Sequence, residues 1–147
     1  MLKNIPRILS PELLKVLMEM GHGDEILIAD GNFPAASLAQ ATITKILVRA
    51  DGNGVPELLD AILTLFPLDQ YVERPVTLMQ VVPGDKVRPV IWDKYREIIE
   101  KHEPAFSSFE YIERFAFYER AKKVFAIVAT GEPALYANII LKKGVVK

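Results

Sequence analysis

Phe125-Ala126-Ile127-Val128-Ala129-Thr130-Gly131-Glu132-Pro133-Ala134-Leu135-Tyr136-Ala137-Asn138-Ile139-Ile140-Leu141 holds two short apolar runs with seven residues between them, Thr130 to Tyr136. Phe125 to Ala129 and Ala137 to Leu141 are each five residues long and bounded by Gly, Pro and polar residues, as expected of strands buried on both faces. A parallel crossover takes a dozen residues or more, and seven are too few for a helix to carry the chain back. If the two strands are neighbours they are therefore antiparallel, and the sheet is mixed.

Working outward, strands alternate with helices. Ser10-Pro11-Glu12 supplies an N-cap, a first-turn proline and an early acid. Leu13, Leu14, Leu17 and Met20 then form a helical apolar stripe, and Gly21 is placed to end the helix in the left-handed conformation. Glu25 to Ala29 reads as a buried strand ending near Asp30. A loop through Gly31-Asn32-Phe33-Pro34 leads to a second strand, Ile43 to Val48. Asp51-Gly52-Asn53-Gly54 is turn chemistry, and Pro56-Glu57 opens a helix with Leu58, Leu59, Ile62 and Phe66 on one side and Pro67 closing it. Val76 to Val82 is a strand, Pro83-Gly84-Asp85 a turn, and Pro89 to His102 a helix. Phe109 to Glu113 is a strand and Phe115 to Lys123 a helix. The pattern predicts an α/β protein of three layers, α/β/α, with a mixed, mostly parallel sheet of about six strands. No repeat, low-complexity segment or linker divides residues 1–147, so one domain is expected.

Half of the 147 residues are apolar and a quarter charged, a rich apolar share for a chain this short. Either the core is unusually complete or, the favoured reading, part of the apolar surface meets another subunit. Eighteen basic residues against nineteen acidic ones, with no basic stripe interleaved with aromatics, argue against a nucleic-acid partner. Absence of cysteine removes disulfides, thiol nucleophiles and thiolate metal sites. No run approaches the ~18 apolar residues of a membrane span, and the first residues lack a secretory pattern. A cytoplasmic protein is the expectation.

There are two histidines. His102 falls in the last turn of a helix, where the helix dipole favours a protonated imidazole. His22 lies between Gly21 and Gly23 with Asp24 beside it. Flanking glycines leave the ring unshielded, and a free imidazole exchanges protons near neutral pH; a capping or solvent-facing histidine is the ordinary alternative. Asp30 stands at the carboxyl end of a strand, where open α/β sheets place ligands, though an Asx turn before Gly31 explains it equally well. Arg114 offers a fork of donors at a strand-to-helix junction, and an ion pair with a nearby acid is the plainer reading. Tyr118, four residues on, shares its helical face. Tyr136 and Asn138, two apart at a strand start, are expected on one face.

Other chemistries fail on their motifs. Asp51-Gly52-Asn53-Gly54-Val55-Pro56 departs from a calcium loop at its fifth and sixth positions. No phosphate-cradling glycine loop is present, Ser107-Ser108 has no strand-to-helix elbow or nearby histidine, and a metal site would need His22 and His102 to meet.

Taken in order, several segments resemble the L-fucose mutarotase/D-ribose pyranase family along almost the whole chain. They are Leu9 to Leu17, Glu19-Met20-Gly21-His22-Gly23-Asp24-Glu25-Ile26, Arg49-Ala50-Asp51-Gly52, Arg114-Phe115-Ala116-Phe117-Tyr118-Glu119-Arg120-Ala121, Thr130-Gly131-Glu132, and Tyr136 to Val145. The resemblance implies a cofactor-free sugar mutarotase acting on a free monosaccharide. It also implies a homo-oligomer, often a decamer, with sites where subunits meet. By the same resemblance His22 is the proton donor, Asp30 and Arg114 bind substrate, and Tyr136, Ala137 and Asn138 form the C-terminal Tyr-x-Asn sugar contact. Tyr118 is a candidate for the pocket wall. No metal or organic cofactor is implied.

Arg114 is similar to the fucose branch, where ribose-type members carry histidine; Phe115, Phe117 or Tyr118 would wall off the sugar methyl. Two departures keep D-ribose pyranase as an alternative. Asn32-Phe33-Pro34-Ala35-Ala36 lacks both histidines of the fucose-type His-Phe-Pro-Ala-His pattern, and Ala137 is similar to the ribose branch. A non-catalytic sugar-binding accessory of a transport system is the rival from another class. One tension stands: a strand of about six residues would hold His22 and Asp30 roughly 20 Å apart. Either the loop around His22 folds back, or neighbouring subunits complete each other's sites.

Overall fold

A computed structural model describes residues 1–147. In chain order its elements are α1 (Pro11–Glu19), β1 (Glu25–Ala29), α2 (Ala35–Ala39), β2 (Ile46–Ala50), α3 (Val55–Leu63) and β3 (Val76–Met79). They continue with α4 (Ile91–His102), β4 (Glu110–Ile112), α5 (Arg114–Ala121), β5 (Ala126–Thr130) and β6 (Ile139–Lys142). The six strands form one sheet in the order β2-β5-β1-β6-β3-β4. β1 with β5, β2 with β5 and β3 with β4 pair parallel. β6 runs antiparallel to both of its neighbours, β1 and β3. β5 and β6 are thus not adjacent, because β1 lies between them. The short connection has still reversed the chain direction.

Period-two alternation distributes β1 between two cores. Ile26 and Ile28 join Leu13, Val16, Leu58, Ile62, Tyr95 and Ile99 under α1, α3 and α4. Leu27 and Ala29 face the other way, into Phe33, Ala39, Phe117 and Ala121 under α2 and α5. All four β1 residues are fully buried, which is why the strand reads as a continuous apolar run. The layers are α/β/α, as the pattern requires.

Several boundaries differ for identifiable reasons. The first helix does not end on a left-handed glycine: Met20 caps it in an extended conformation, and the positive φ, +85°, belongs to Gly23. The second strand starts at Ile46 rather than Ile43, because Lys45 has φ +58° and interrupts the extended backbone. The third strand stops at Met79, with Val81 and Val82 continuing into a loop. α2 was not anticipated, since its five residues have no side-chain cap and show no full apolar period. No helix is long and apolar enough to cross a membrane.

Candidate active site

The carboxyl end of β1 delivers Asp30 into a buried polar pair. Its backbone N–H donates to Asn138 Oδ1 at 2.8 Å, and Asn138 Nδ2 donates to Asp30 Oδ2 at 2.9 Å. The Asn32 N–H donates to the other carboxylate oxygen at 3.0 Å, so the Asx turn is real and coexists with the site. Both side chains are about 95% buried. Burial pushes the Asp30 carboxyl upward; backbone N–H groups led by that of Asn32 oppose this, and the nearby Glu132 charge adds to it, leaving the pKa raised. Glu132 is itself buried, and its carboxylate accepts from Val55 N and Ala134 N at 3.1 and 3.0 Å. It thereby ties the start of α3 to the loop before β6.

That loop carries Tyr136 and Ala137. β6 begins at Ile139, and Tyr136 has φ +58°, so strand alternation does not govern the Tyr136–Asn138 pair. A left-handed non-glycine residue costs about 1–2 kcal/mol, and the surroundings hold it in place. Trp92 Nε1 donates to the Tyr136 carbonyl at 2.8 Å, and the Tyr95 hydroxyl donates to the Ala137 carbonyl at 2.6 Å. The Ala137 side chain is fully buried. The Tyr136 hydroxyl leaves the Asp30–Asn138 pair and donates to Asp85 Oδ2 at 2.6 Å. The two side chains thus have separate hydrogen-bond partners, while Tyr136 packs against the cluster of Leu27, Ala29 and Ile140, the side of the sheet that alternation from Ile140 also gives Asn138.

Arg114 begins α5. Glu113 does not pair with it; the Glu113 carboxylate caps the helix, accepting from Phe115 N at 2.9 Å and Ala116 N at 3.1 Å. The guanidinium carbon lies 5.6 Å from the Tyr118 ring centre and 5.5 Å from that of Phe115. Tyr118 in turn contacts Phe33, with ring centres 5.6 Å apart. Beside Arg114 is a cavity of about 210 Å³ walled by Val81, Val82, Pro83 and Phe115, with Gln80 and Glu113. Phe115 and Tyr118 are therefore available as an apolar wall, whereas Phe117 is fully buried in the core and is not. Asp30, Asn138, Arg114, Tyr118 and Tyr136 thus gather at one end of the sheet.

His22 lies at the other end. Its loop does not fold back along β1: the Gly23 N–H donates to the Lys143 carbonyl at 2.8 Å, and the Gly21 N–H to Asp24 Oδ2 at 2.7 Å. His22 Nε2 is 3.0 Å from Asp69 Oδ1. Its ring centre is 5.3 Å from that of Tyr71. Asp69 is brought there by the pairing of Leu68 with Lys143, where a Cβ on Gly144 would press within 2.4 Å of the Leu68 carbonyl; only glycine fits. The Asp69 side chain is 4% exposed and that of His22 46%. Burial pushes the Asp69 carboxyl up, yet the Tyr71 N–H and the His22 ring together outweigh it and hold it below the ordinary carboxylate range.

An ionised Asp69 only accepts hydrogen bonds, so Nε2 of His22 carries the proton that faces it. Nδ1 is then the ring nitrogen that Asp69 leaves free. Neither Asp69 nor Tyr71 stood out in the sequence, where 47 residues separate Asp69 from His22. His102 belongs elsewhere. It bonds Asp60 Oδ1 at 2.6 Å and ties α4 to α3. No group of three or more His, Cys, Asp or Glu is placed to hold a metal ion.

The model of the RbsD / FucU transport protein family matches residues 3–146. Human fucose mutarotase is 54% identical over 147 residues, covering 98% of this chain and 94% of that protein. The crystal structure of a fucose mutarotase from Streptococcus pneumoniae in complex with L-fucose superposes with a TM-score of 0.91 at 56% identity, covering 99% of this chain and 100% of that one. FucU from Bifidobacterium longum gives 0.94 at 55% identity, with coverage of 99% and 100%.

Proposed function

This chain belongs to the RbsD / FucU transport protein family, and from that premise we propose that it is an isomerase, a mutarotase that interconverts the α and β anomers of L-fucose. Mutarotation protonates the ring oxygen while the anomeric hydroxyl loses its proton. The ring opens to an aldehyde, the carbonyl turns, and closure occurs on the other face. Apart from the bond between the anomeric carbon and the ring oxygen, which breaks on opening and re-forms on closure, only protons are exchanged, and one imidazole that alternates between acid and base suits so symmetric a reaction. The observation that carries this reading is the His22–Asp69 pair, an exposed imidazole backed by a buried, ionised carboxylate. A pure sugar binder has no need of it.

At the other end, Asp30 and Asn138 offer a rigid buried pair. Arg114 offers paired donors beside an apolar cavity suited to the sugar's methyl group. The roles follow: His22 transfers the proton, and Asp30, Arg114, Tyr136 and Asn138 hold the sugar so that the open aldehyde rotates rather than escapes. Ala137 contributes its backbone and Tyr118 part of the wall.

β1 separates the two halves. Five residues at ~3.3 Å each span roughly 16 Å, far longer than a monosaccharide. We therefore assign each site to two chains, the His22 end of one docking on the Arg114 end of the next. A head-to-tail contact of this kind builds a ring where its rotation closes, and a closed homo-oligomer is our reading. Exposed apolar groups at both ends support it, with Tyr71 69% exposed against the His22 ring and Phe115 67% exposed beside Arg114. Saturation-transfer NMR on L-fucose tests the function. Exchange between the anomers should rise in proportion to added protein, and binding without accelerated exchange would favour the transport accessory instead.

A further inference from the structure

Tyr136 has a partner that the sugar site does not require. Its hydroxyl donates to Asp85 Oδ2 at 2.6 Å and stands 3.3 Å from the Val82 N–H, which donates to it. A phenol has one proton and two lone pairs. The proton is committed to Asp85 and one lone pair to Val82, so the remaining hydrogen-bonding capacity is a single acceptor position.

Asp85 is fixed as well. Its other oxygen, Oδ1, accepts the Val87 N–H at 3.1 Å, and its own N–H donates to the Val82 carbonyl at 3.0 Å. The turn this closes contains Gly84 at φ +90°, a conformation that favours glycine. Val82 and Pro83 of the same turn wall the cavity beside Arg114. Arg114 and Tyr136 are near enough for the guanidinium charge to act on the phenol.

Resting on the mutarotase reading, we propose that Asp85 is a positioning residue for the sugar. By accepting the Tyr136 O–H it turns the phenol into an acceptor toward substrate, which reads a sugar hydroxyl as a donor. Arg114 can only donate. The half-site therefore offers an acceptor and a set of donors close together, a pattern that matches adjacent sugar hydroxyls whose protons run in one direction. Asn138 Oδ1 already accepts the Asp30 N–H and keeps one lone pair, so the Tyr136 phenol is a second acceptor rather than a duplicate of it. Tyr136 is also removed from the list of proton donors for the chemistry, since Asp85 holds its phenol above the ordinary range.

Asp85→Asn separates polarity from shape. Val87 N–H can only donate, so the amide oxygen stays opposite it and the amide nitrogen is turned toward the phenol. The hydrogen bond reverses, and Tyr136 becomes a donor to substrate. For the full-length protein in its native assembly we expect KM for L-fucose to rise roughly fivefold to tenfold with kcat little changed, the size of one hydrogen bond lost from binding. In a Tyr136→Phe background the same substitution should change KM less than about twofold, because Asp85 acts only through the phenol. Ultraviolet titration of the tyrosines, with Tyr136→Phe subtracted, should show Tyr136 ionising at lower pH in Asp85→Asn than in wild type.

An equal KM penalty in the Tyr136→Phe background would overturn the proposal, and so would an unmoved Tyr136 titration. If the wild type fails to exchange anomers, the mutarotase reading falls. The titration and the double-mutant comparison, with Kd for L-fucose from calorimetry in place of KM, then decide Asp85 separately.

Discussion

Replacing Asn138 by Asp changes one heavy atom, the amide nitrogen to oxygen, in shape-neutral fashion and inverts the logic of the buried pair. One oxygen of the new carboxylate still accepts the Asp30 N–H, while the other replaces the amide nitrogen that lies 2.9 Å from Asp30 Oδ2. Two charges at that distance repel by about 6 kcal/mol at an effective dielectric of 20. Binding a proton is the cheaper course. Relative to an unfolded carboxyl near 3.9, holding a proton at pH 7 costs about 4 kcal/mol, three pKa units at about 1.36 kcal/mol each. The folded pair should therefore share one proton, as close carboxylates do.

The direction with pH follows from that proton. The pair's folded pKa is raised above the unfolded value, so the variant's stability is whole below about pH 4 and is lost as pH rises toward the folded pKa. Urea unfolding at equal protomer concentration should show a penalty against wild type near 4 kcal/mol at pH 7. It should shrink by about 1.4 kcal/mol per pH unit to roughly 1.5 kcal/mol at pH 5. A penalty that does not change between pH 5 and 7 would refute the reasoning, since it would mean that no proton is taken up on folding. The burial that already raises Asp30 works in the same direction.

Other expectations follow from the two half-sites. His22→Ala should fold, assemble and bind L-fucose while losing about 10²–10⁴-fold in anomer exchange; undiminished exchange would remove His22 from the mechanism. Wild type should exchange L-fucose faster than D-ribose by about tenfold to a hundredfold at equal concentration. Arg114→His should narrow that ratio, and an unchanged ratio would show that Arg114 does not set specificity. Light scattering at micromolar concentration should give a closed homo-oligomer, and mixing His22→Ala with Arg114→Ala protomers should restore part of the exchange that each lacks. A monomer would end the two-chain site, because no single chain brings His22 to Asp30.

The fold was legible because its signals are local and repeated. Ser10-Pro11 marks α1, the alternating burial of β1 shows as an unbroken apolar run, and seven residues between Ala129 and Ala137 are enough to reverse the chain direction. Where the reading missed, a single backbone angle decided. Lys45 at φ +58° delays β2, and Tyr136 at φ +58° precedes a β6 that starts only at Ile139. Neither residue belongs to a type that announces a left-handed conformation. Nothing in either local sequence competes with the strand reading.

The site divides along a similar line. Residues that act from their own loop, His22 between two glycines and Asp30 at a strand end, are visible in one dimension. The carboxylates that give them chemistry are not. Asp69 reaches His22 only because the Leu68–Lys143 bridge and the close approach at Gly144 bring residue 69 to the start of β1. Asp85 reads as a turn former until Tyr136 is seen to donate to it. Both contacts join segments about 50 residues apart, and no spacing rule spans that distance. The 20 Å tension, in contrast, was present in the sequence, and it is the Gly23–Lys143 hydrogen bond of the structure that closes the alternative of a loop folding back along β1. A separation of that kind carries information about assembly. If His22 and Asp30 serve one sugar, as proposed, the buried strand between them and a loop that does not fold back call for either a second donor or a second copy of the chain. His102, bonded to Asp60 on the far side of α4, does not supply the donor. The second copy is the course left open.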